Sequence, residues 1–163
     1  MARHLTISLD KRGVSCTALL LDDEAPATCE AVWAALPQSA QVYHGKYARN
    51  EIYTLVPAFA PTEPGLENST VTPIPGDVCY FNFTGGQLQN PAYGYAAPGE
   101  LGNIVDLALF YGRNNLLING DQGWVPGNVF GAVVEGLDEM AAACQDLWMG
   151  GVRGETLSFA RRD

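Results

Sequence analysis

A chain of 163 residues, 47% of them hydrophobic, holds enough apolar material for one core, and its length sets the expectation of one domain over residues 1–163. A formal net charge of -9 argues against a general binder of nucleic-acid backbones, because a polyanion is repelled at long range. Its 18 glycines and 10 prolines favour short strands and many turns, and no apolar stretch approaches the ~18 residues of a membrane span.

From His4 to Asp10 the chain alternates, with Leu5, Ile7 and Leu9 on one face and Thr6 and Ser8 on the other, the pattern of a half-buried strand. Asp10-Lys11-Arg12-Gly13 is a turn, and Val14 to Leu21 forms a second strand, so the pair reads as an antiparallel hairpin. A helix is predicted next. Asp22-Asp23-Glu24 would favour its positive end, Pro26 suits its first turn, Cys29, Val32, Trp33 and Leu36 give one apolar stripe, and Pro37 stops it. Gln41 to Val56 reads as two strands broken near Ala48-Arg49-Asn50. The segment 58–75 is a long loop containing Pro61, Pro64, Pro73 and Pro75, either functional or loosely ordered.

Val78 to Thr84 is a further strand, followed by a glycine- and proline-rich stretch over 85–102. Ile104 to Tyr111 is a strongly apolar strand. Gly112-Arg113-Asn114-Asn115 reads as a hairpin turn leading into a short strand, Leu116 to Asn119. Asn128 to Val134 is another strand, and Gly136 hands it to a second helix with the stripe Leu137, Met140, Ala141, Cys144, Leu147 and Trp148. Thr156 to Arg161 alternates once more and would close the sheet. About eight strands and two helices, mainly β with short turns, point to a sandwich or a closed antiparallel barrel whose open ends the helices could cap.

Cys16, Cys29, Cys79 and Cys144 form no C-x-x-C pair; Cys16 and Cys79 sit in strand-like runs and Cys29 and Cys144 on the apolar stripes of helices, so buried free thiols are expected. With two histidines, His4 and His44, there is no zinc-type spacing, and the glycine clusters lack the P-loop lysine and the Rossmann context. The expectation is no metal and no cofactor. Met1-Ala2-Arg3-His4 runs straight into a strand without a visible targeting signal, which reads as a soluble cytoplasmic protein.

Three segments resemble cyclophilins. Leu21 to Cys29 looks like the D-x-x-P-K-T opening of the first cyclophilin helix, Val129-Phe130-Gly131-Ala132-Val133-Val134-Glu135-Gly136 followed by Leu137-Asp138 looks like VFGxVxEGxD, and Thr156 to Ala160 is similar to the final K-I-T-I-A strand. The middle of the chain looks more like small bacterial cyclophilin-like proteins of unknown function, through Asn50-Glu51-Ile52-Tyr53, Gly76-Asp77-Val78-Cys79-Tyr80 and Phe110-Tyr111-Gly112. The resemblance implies a closed cyclophilin-like barrel of about eight strands with two capping α-helices.

The isomerase set that this resemblance would bring is incomplete. Where cyclophilins carry Phe-His-Arg the chain has Tyr43-His44-Gly45, with Lys46 one position off and Arg49 in a bend. Trp124 resembles the rim tryptophan, but its spacing to Phe130 is about two residues shorter than in cyclophilins. Gly127 and Asn128 stand where the rim histidine would fall, and Phe110 remains for the proline cup. The leading expectation is therefore a side groove that binds a small molecule or short peptide, drawing on His44, Arg49, Glu51, Tyr53, Phe110, Tyr111, Trp124 and Asn128, without established catalysis. A divergent prolyl isomerase is the first alternative. The second is an enzyme on a small acidic or amide metabolite, using His44 or Glu51 in acid–base work; it requires His44, Glu51 and a cation to converge in one concave site. No nucleic-acid or membrane partner is expected, and open strand edges leave room for a homo-oligomer.

Overall fold

The alternation at the start of the chain becomes β1 (His4–Leu9), in which Leu5, Ile7 and Leu9 are fully buried. A computed structural model describes residues 1–84, 86–90, 93–95 and 102–163. The glycine- and proline-rich stretch over 85–102 therefore lies partly outside the described residues. The other elements are β2 (Val14–Leu20), α1 (Pro26–Ala35), β3 (Gln38–His44), β4 (Glu51–Pro57), β5 (Ser69–Thr70), β6 (Asp77–Phe83), β7 (Ile104–Phe110), β8 (Ile118–Asn119), β9 (Gly123–Trp124), β10 (Gly127–Glu135), α2 (Leu137–Gly150) and β11 (Thr156–Arg162).

Eight strands close on themselves in the order β2-β1-β11-β3-β4-β7-β6-β10, and β10 pairs back onto β2. Neighbouring strands are antiparallel throughout. Closure leaves this ring no free edge, which removes the cost of unpaired backbone groups. The architecture matches the cyclophilin-like barrel, with α1 and α2 capping it. Inward-facing Leu5, Ile7, Ile52, Leu107, Leu109, Phe130, Leu157 and Phe159 fill the interior, and Cys29 and Val32 of α1 and Met140, Cys144 and Leu147 of α2 join that core. Trp148, placed by its spacing on the apolar stripe, is instead 57% exposed.

The joint between β10 and α2 needs a glycine. Gly136 has φ 84°, and a β-carbon there would stand 3.1 Å from the Ser15 carbonyl oxygen. At the other helix the expected acidic start is replaced. Asp22 pairs with Arg3, and Glu67 reaches in from 40 residues away. Its carboxylate accepts from the Ala27 amide at 3.0 Å, the Thr28 amide at 2.8 Å and the Thr28 hydroxyl at 2.7 Å. A distant side chain thus satisfies the N–H groups that a helix start leaves open.

The same loop is pinned on both sides. Asn128 accepts from the Glu67 amide and donates to Gly65 O at 2.7 Å and Thr28 Oγ1 at 3.2 Å, while Asn68 donates to Val129 O at 2.9 Å. Of the two readings of segment 58–75, loose order does not hold for these residues.

The strand expected at Leu116–Asn119 does not pair with β7. Both edges of β7 are taken, by β4 and β6, so a third partner has nowhere to bond. Asn115 turns the chain away, accepting from the Asn50 amide and donating to Pro73 O and Gly112 O. The residues 118–119 then pair with Gly123–Trp124 as a separate two-strand hairpin. No helix among the described residues is long and apolar enough to cross a membrane.

Candidate ligand-binding site

A second apolar cluster lies on the outside of the barrel wall. Period-two alternation sends Ile52, Thr54 and Val56 of β4 inward, leaving Glu51, Tyr53 and Leu55 on the outer face. On the same face β7 contributes Asp106, Ala108 and Phe110, and β6 contributes Cys79, Phe81 and Phe83. The register sets Ala108 between Tyr53 and Cys79, Asp106 between Leu55 and Phe81, and Glu51 opposite Phe110.

Over this floor, Lys46, Tyr47 and Ala48 of the β3–β4 connection, Tyr93 and Tyr95, and Leu117 to Val125 around the β8–β9 hairpin enclose a cavity of about 90 Å³. Phe81, Phe83, Gln122 and Val125 are shared with a wider groove of about 300 Å³ that runs past Tyr80, Trp124 and Asn128. The tyrosines form a connected set. Tyr43 meets Tyr95 edge-on at 5.0 Å, Tyr93 stacks on Tyr95 at 5.7 Å, and the Tyr53 and Tyr95 hydroxyls bond to each other.

Glu51 and Asp106 both line this cavity, 7% and 6% exposed. Asp106 Oδ1 is buried with no hydrogen-bond partner among the described residues. Burial holds the Glu51 carboxyl well above its ordinary range, and burial followed by repulsion from Glu51 does the same to Asp106. Among the described residues no cation contributes to either shift; Lys46 also lines the cavity, and its ammonium donates to Tyr93 O at 2.7 Å. Burial shifts both carboxyls toward their protonated forms, in which they donate as well as accept.

The residues singled out from sequence separate into groups. Glu51 and Tyr53 line the small cavity, and Phe110 is fully buried in the cluster beneath it. Trp124, 59% exposed, and Asn128, buried, line the adjoining groove. Arg49 is exposed in the β3–β4 connection, with φ 82°. His44 and Tyr111 lie elsewhere. His44 is the register partner of inward-facing Ile52, so it points away from Glu51. Its Nδ1 donates to Gly45 O at 3.0 Å, its Nε2 accepts from the Tyr111 hydroxyl at 2.5 Å, and its ring lies 5.0 Å from that of Trp148. Burial lowers its proton affinity. The convergence of His44 with Glu51 that an acid–base pair would need is therefore not present.

Gly45 stands where the resemblance to cyclophilins would put an arginine. A β-carbon there would lie 2.7 Å from Glu51 Oε1, so the space belongs to the glutamate. Asp106, Tyr43, Phe81 and Tyr95 were not anticipated. A charged residue inside the seven-residue buried run of β7 was the available signal for Asp106, since lone carboxylates are rare at such positions.

The fold and this outer-face cavity define a cyclophilin-like barrel protein with an acidic, tyrosine-lined pocket. Over residues 7–159 the chain belongs to the family described as protein of unknown function, DUF3830. Among solved structures, that of McbB in complex with tryptophan is similar with a TM-score of 0.61 and 18% identity, covering 97% of this chain and 44% of that one. The chain thus spans less than half of the McbB chain. The solution structure of the hypothetical protein AF2241 from Archaeoglobus fulgidus is similar with a TM-score of 0.53 and 24% identity, covering 99% of this chain and 95% of that one. No curated protein matches the chain.

Proposed function

We propose that this protein binds a small molecule, or the side chain of a short peptide, in the cavity between Tyr53, Tyr95, Glu51 and Asp106, with the rest of the ligand lying in the groove beside Trp124. The observation that carries this reading is the buried, unpartnered carboxyl oxygen of Asp106 inside a concave aromatic pocket. A buried polar atom left without a partner costs about 1–3 kcal/mol, which a ligand with hydrogen-bond donors would recover. McbB holds tryptophan in its solved structure. At 18% identity that likeness carries the fold, and the ligand of this chain is argued from its own pocket. Four free buried thiols suit a reducing compartment such as the cytoplasm.

A library of small metabolites screened by thermal shift tests the reading. Stabilising ligands are expected, and Val125→Trp, which fills the lining shared by the cavity and the groove, should abolish their effect. A library in which nothing stabilises the protein would overturn it.

One observation favours a second reading, an enzyme using Glu51 as acid or base. Its raised proton affinity in a cleft is the state a general acid needs at neutral pH. Turnover of a ligand found in the screen, lost in Glu51→Gln while binding persists, would select this reading. Binding without turnover would leave the first.

A further inference from the structure

We propose that the head group recognised by Glu51 and Asp106 is a compact organic cation, a primary ammonium or a guanidinium, attached to an apolar or aromatic body. This rests on the reading that the outer-face cavity binds a ligand, and names its chemical class.

Size sets the first limit. The inner cavity, about 90 Å³, is smaller than the groove of about 300 Å³ beside it, so it takes the compact head of a ligand. The groove of about 300 Å³ shares Phe81, Phe83, Gln122 and Val125 with it and can hold the body.

Chemistry sets the second. The floor offers two carboxyl groups, one oxygen of which has no partner among the described residues. The groups around them are Tyr43 of β3, Lys46 before β4, Tyr53 of β4, Cys79 of β6, and Tyr93 and Tyr95 above. Burial raises the proton affinity of these tyrosines and of Cys79, which keeps them neutral. Lys46 holds the Tyr93 carbonyl with its ammonium, and its side chain is exposed at the mouth. An anionic head would meet two carboxyls; a neutral head would leave the pair protonated. A cation supplies N–H donors and the charge that lets a carboxyl ionise, and tyrosine faces attract it further. The proton displaced from the carboxyl goes to solvent, so binding tightens as pH rises.

The test is calorimetric titration and thermal shift with n-butylammonium, 2-phenylethylammonium and methylguanidinium, against 1-butanol, 2-phenylethanol and butyrate. The cations are expected to bind at least about tenfold more tightly than the alcohols, with butyrate weakest. Glu51→Gln and Asp106→Asn, close isosteres that preserve packing, should each weaken the cations about tenfold or more and leave the alcohols unchanged. Titration in buffers of different ionisation enthalpy should show proton release, lost in the double variant. Equal binding of cation and alcohol, or cation binding unaffected by either substitution, overturns the inference while leaving the cavity as a binding site. Tighter binding of calcium or magnesium chloride than of every organic cation, abolished by Asp106→Asn, also overturns it. If neither these probes nor the wider library shift the melting temperature, the binding reading itself falls.

Discussion

Glu51 Oε1 occupies the space that a side chain at Gly45 would need: a β-carbon on Gly45 would stand 2.7 Å from that oxygen and 3.1 Å from Glu51 Cβ. The chain crosses from β3 toward β4 at this point, and the Gly45 amide donates to Glu51 O at 2.8 Å. The absence of a side chain and the presence of a buried carboxyl are therefore one structural fact. It gives this corner of the cavity an acidic wall.

Gly45→Ala should cost about 1–3 kcal/mol in chemical unfolding, through overpacking against Glu51, whose Cβ would stand 3.1 Å away and cannot swing aside as its carboxyl can. Adding Glu51→Ala should recover part of that loss. A double-mutant cycle measures the coupling, and strict additivity would show that the two positions do not contend for the same space.

The pH dependence of stability follows from the two buried carboxyls. In the unfolded chain they ionise near their ordinary values of 4.5 for Glu51 and 3.8 for Asp106; in the folded chain they hold their protons to higher pH. Above those ordinary values the unfolded state binds fewer protons, so their contribution makes stability fall as pH rises. Each unit of difference is worth about 1.4 kcal/mol. Glu51→Gln and Asp106→Asn should raise stability at pH 8 and flatten the decline, measured by urea unfolding between pH 5 and pH 9 (a range of roughly four units, over which the effect accumulates).

Glu67 gives the opposite sign. Burial alone would raise its proton affinity, but the hydrogen bonds from the Thr28 hydroxyl and the Thr28 and Ala27 amides outweigh it and hold the carboxyl below its ordinary 4.5. Its stabilisation is present above that value and is lost as pH falls through the lower folded-state value. Glu67→Ala should remove about 1–2 kcal/mol, the usual worth of a helix N-cap, and hydrogen exchange should quicken at the start of α1 and in loop 58–75 together.

Burial pushes the Cys16 and Cys29 thiols up to about 12, and those of Cys79 and Cys144 are raised as well. The thiolate is the reactive form, so an aromatic disulfide reagent at pH 8 should leave all four cysteines of the folded protein unmodified and titrate four after denaturation.

The barrel was readable where a strand has one wet face. β1 and β11 alternate because they do, and their register joins Leu9 to Leu157 as the pattern requires. The hairpin after β7 was misplaced because an apolar run does not reveal that both its edges are already paired. Helix capping by Glu67 was invisible for a related reason: its partners lie 39 and 40 residues away, and local patterns carry no such distances. At the site, Glu51, Tyr53 and Phe110 stood out through short motifs. His44 was placed with them, although its neighbour Tyr43 is the residue on the tyrosine side, since adjacent strand residues face opposite ways. Asp106 was hidden in a strand buried on both faces, where alternation vanishes.

The position of β11 governs when the barrel can be finished. It slots between β1 and β3, pairing Phe159 with Ile7 on one side and with Gln38 on the other. Until residues 156–162 leave the ribosome, both of those strands present unpaired backbone to the cell, and the ring stays open like a stave missing from a cask. Contacts of such long sequence separation fold slowly, so a chain in which the other strands form first carries two adhesive edges until β11 docks.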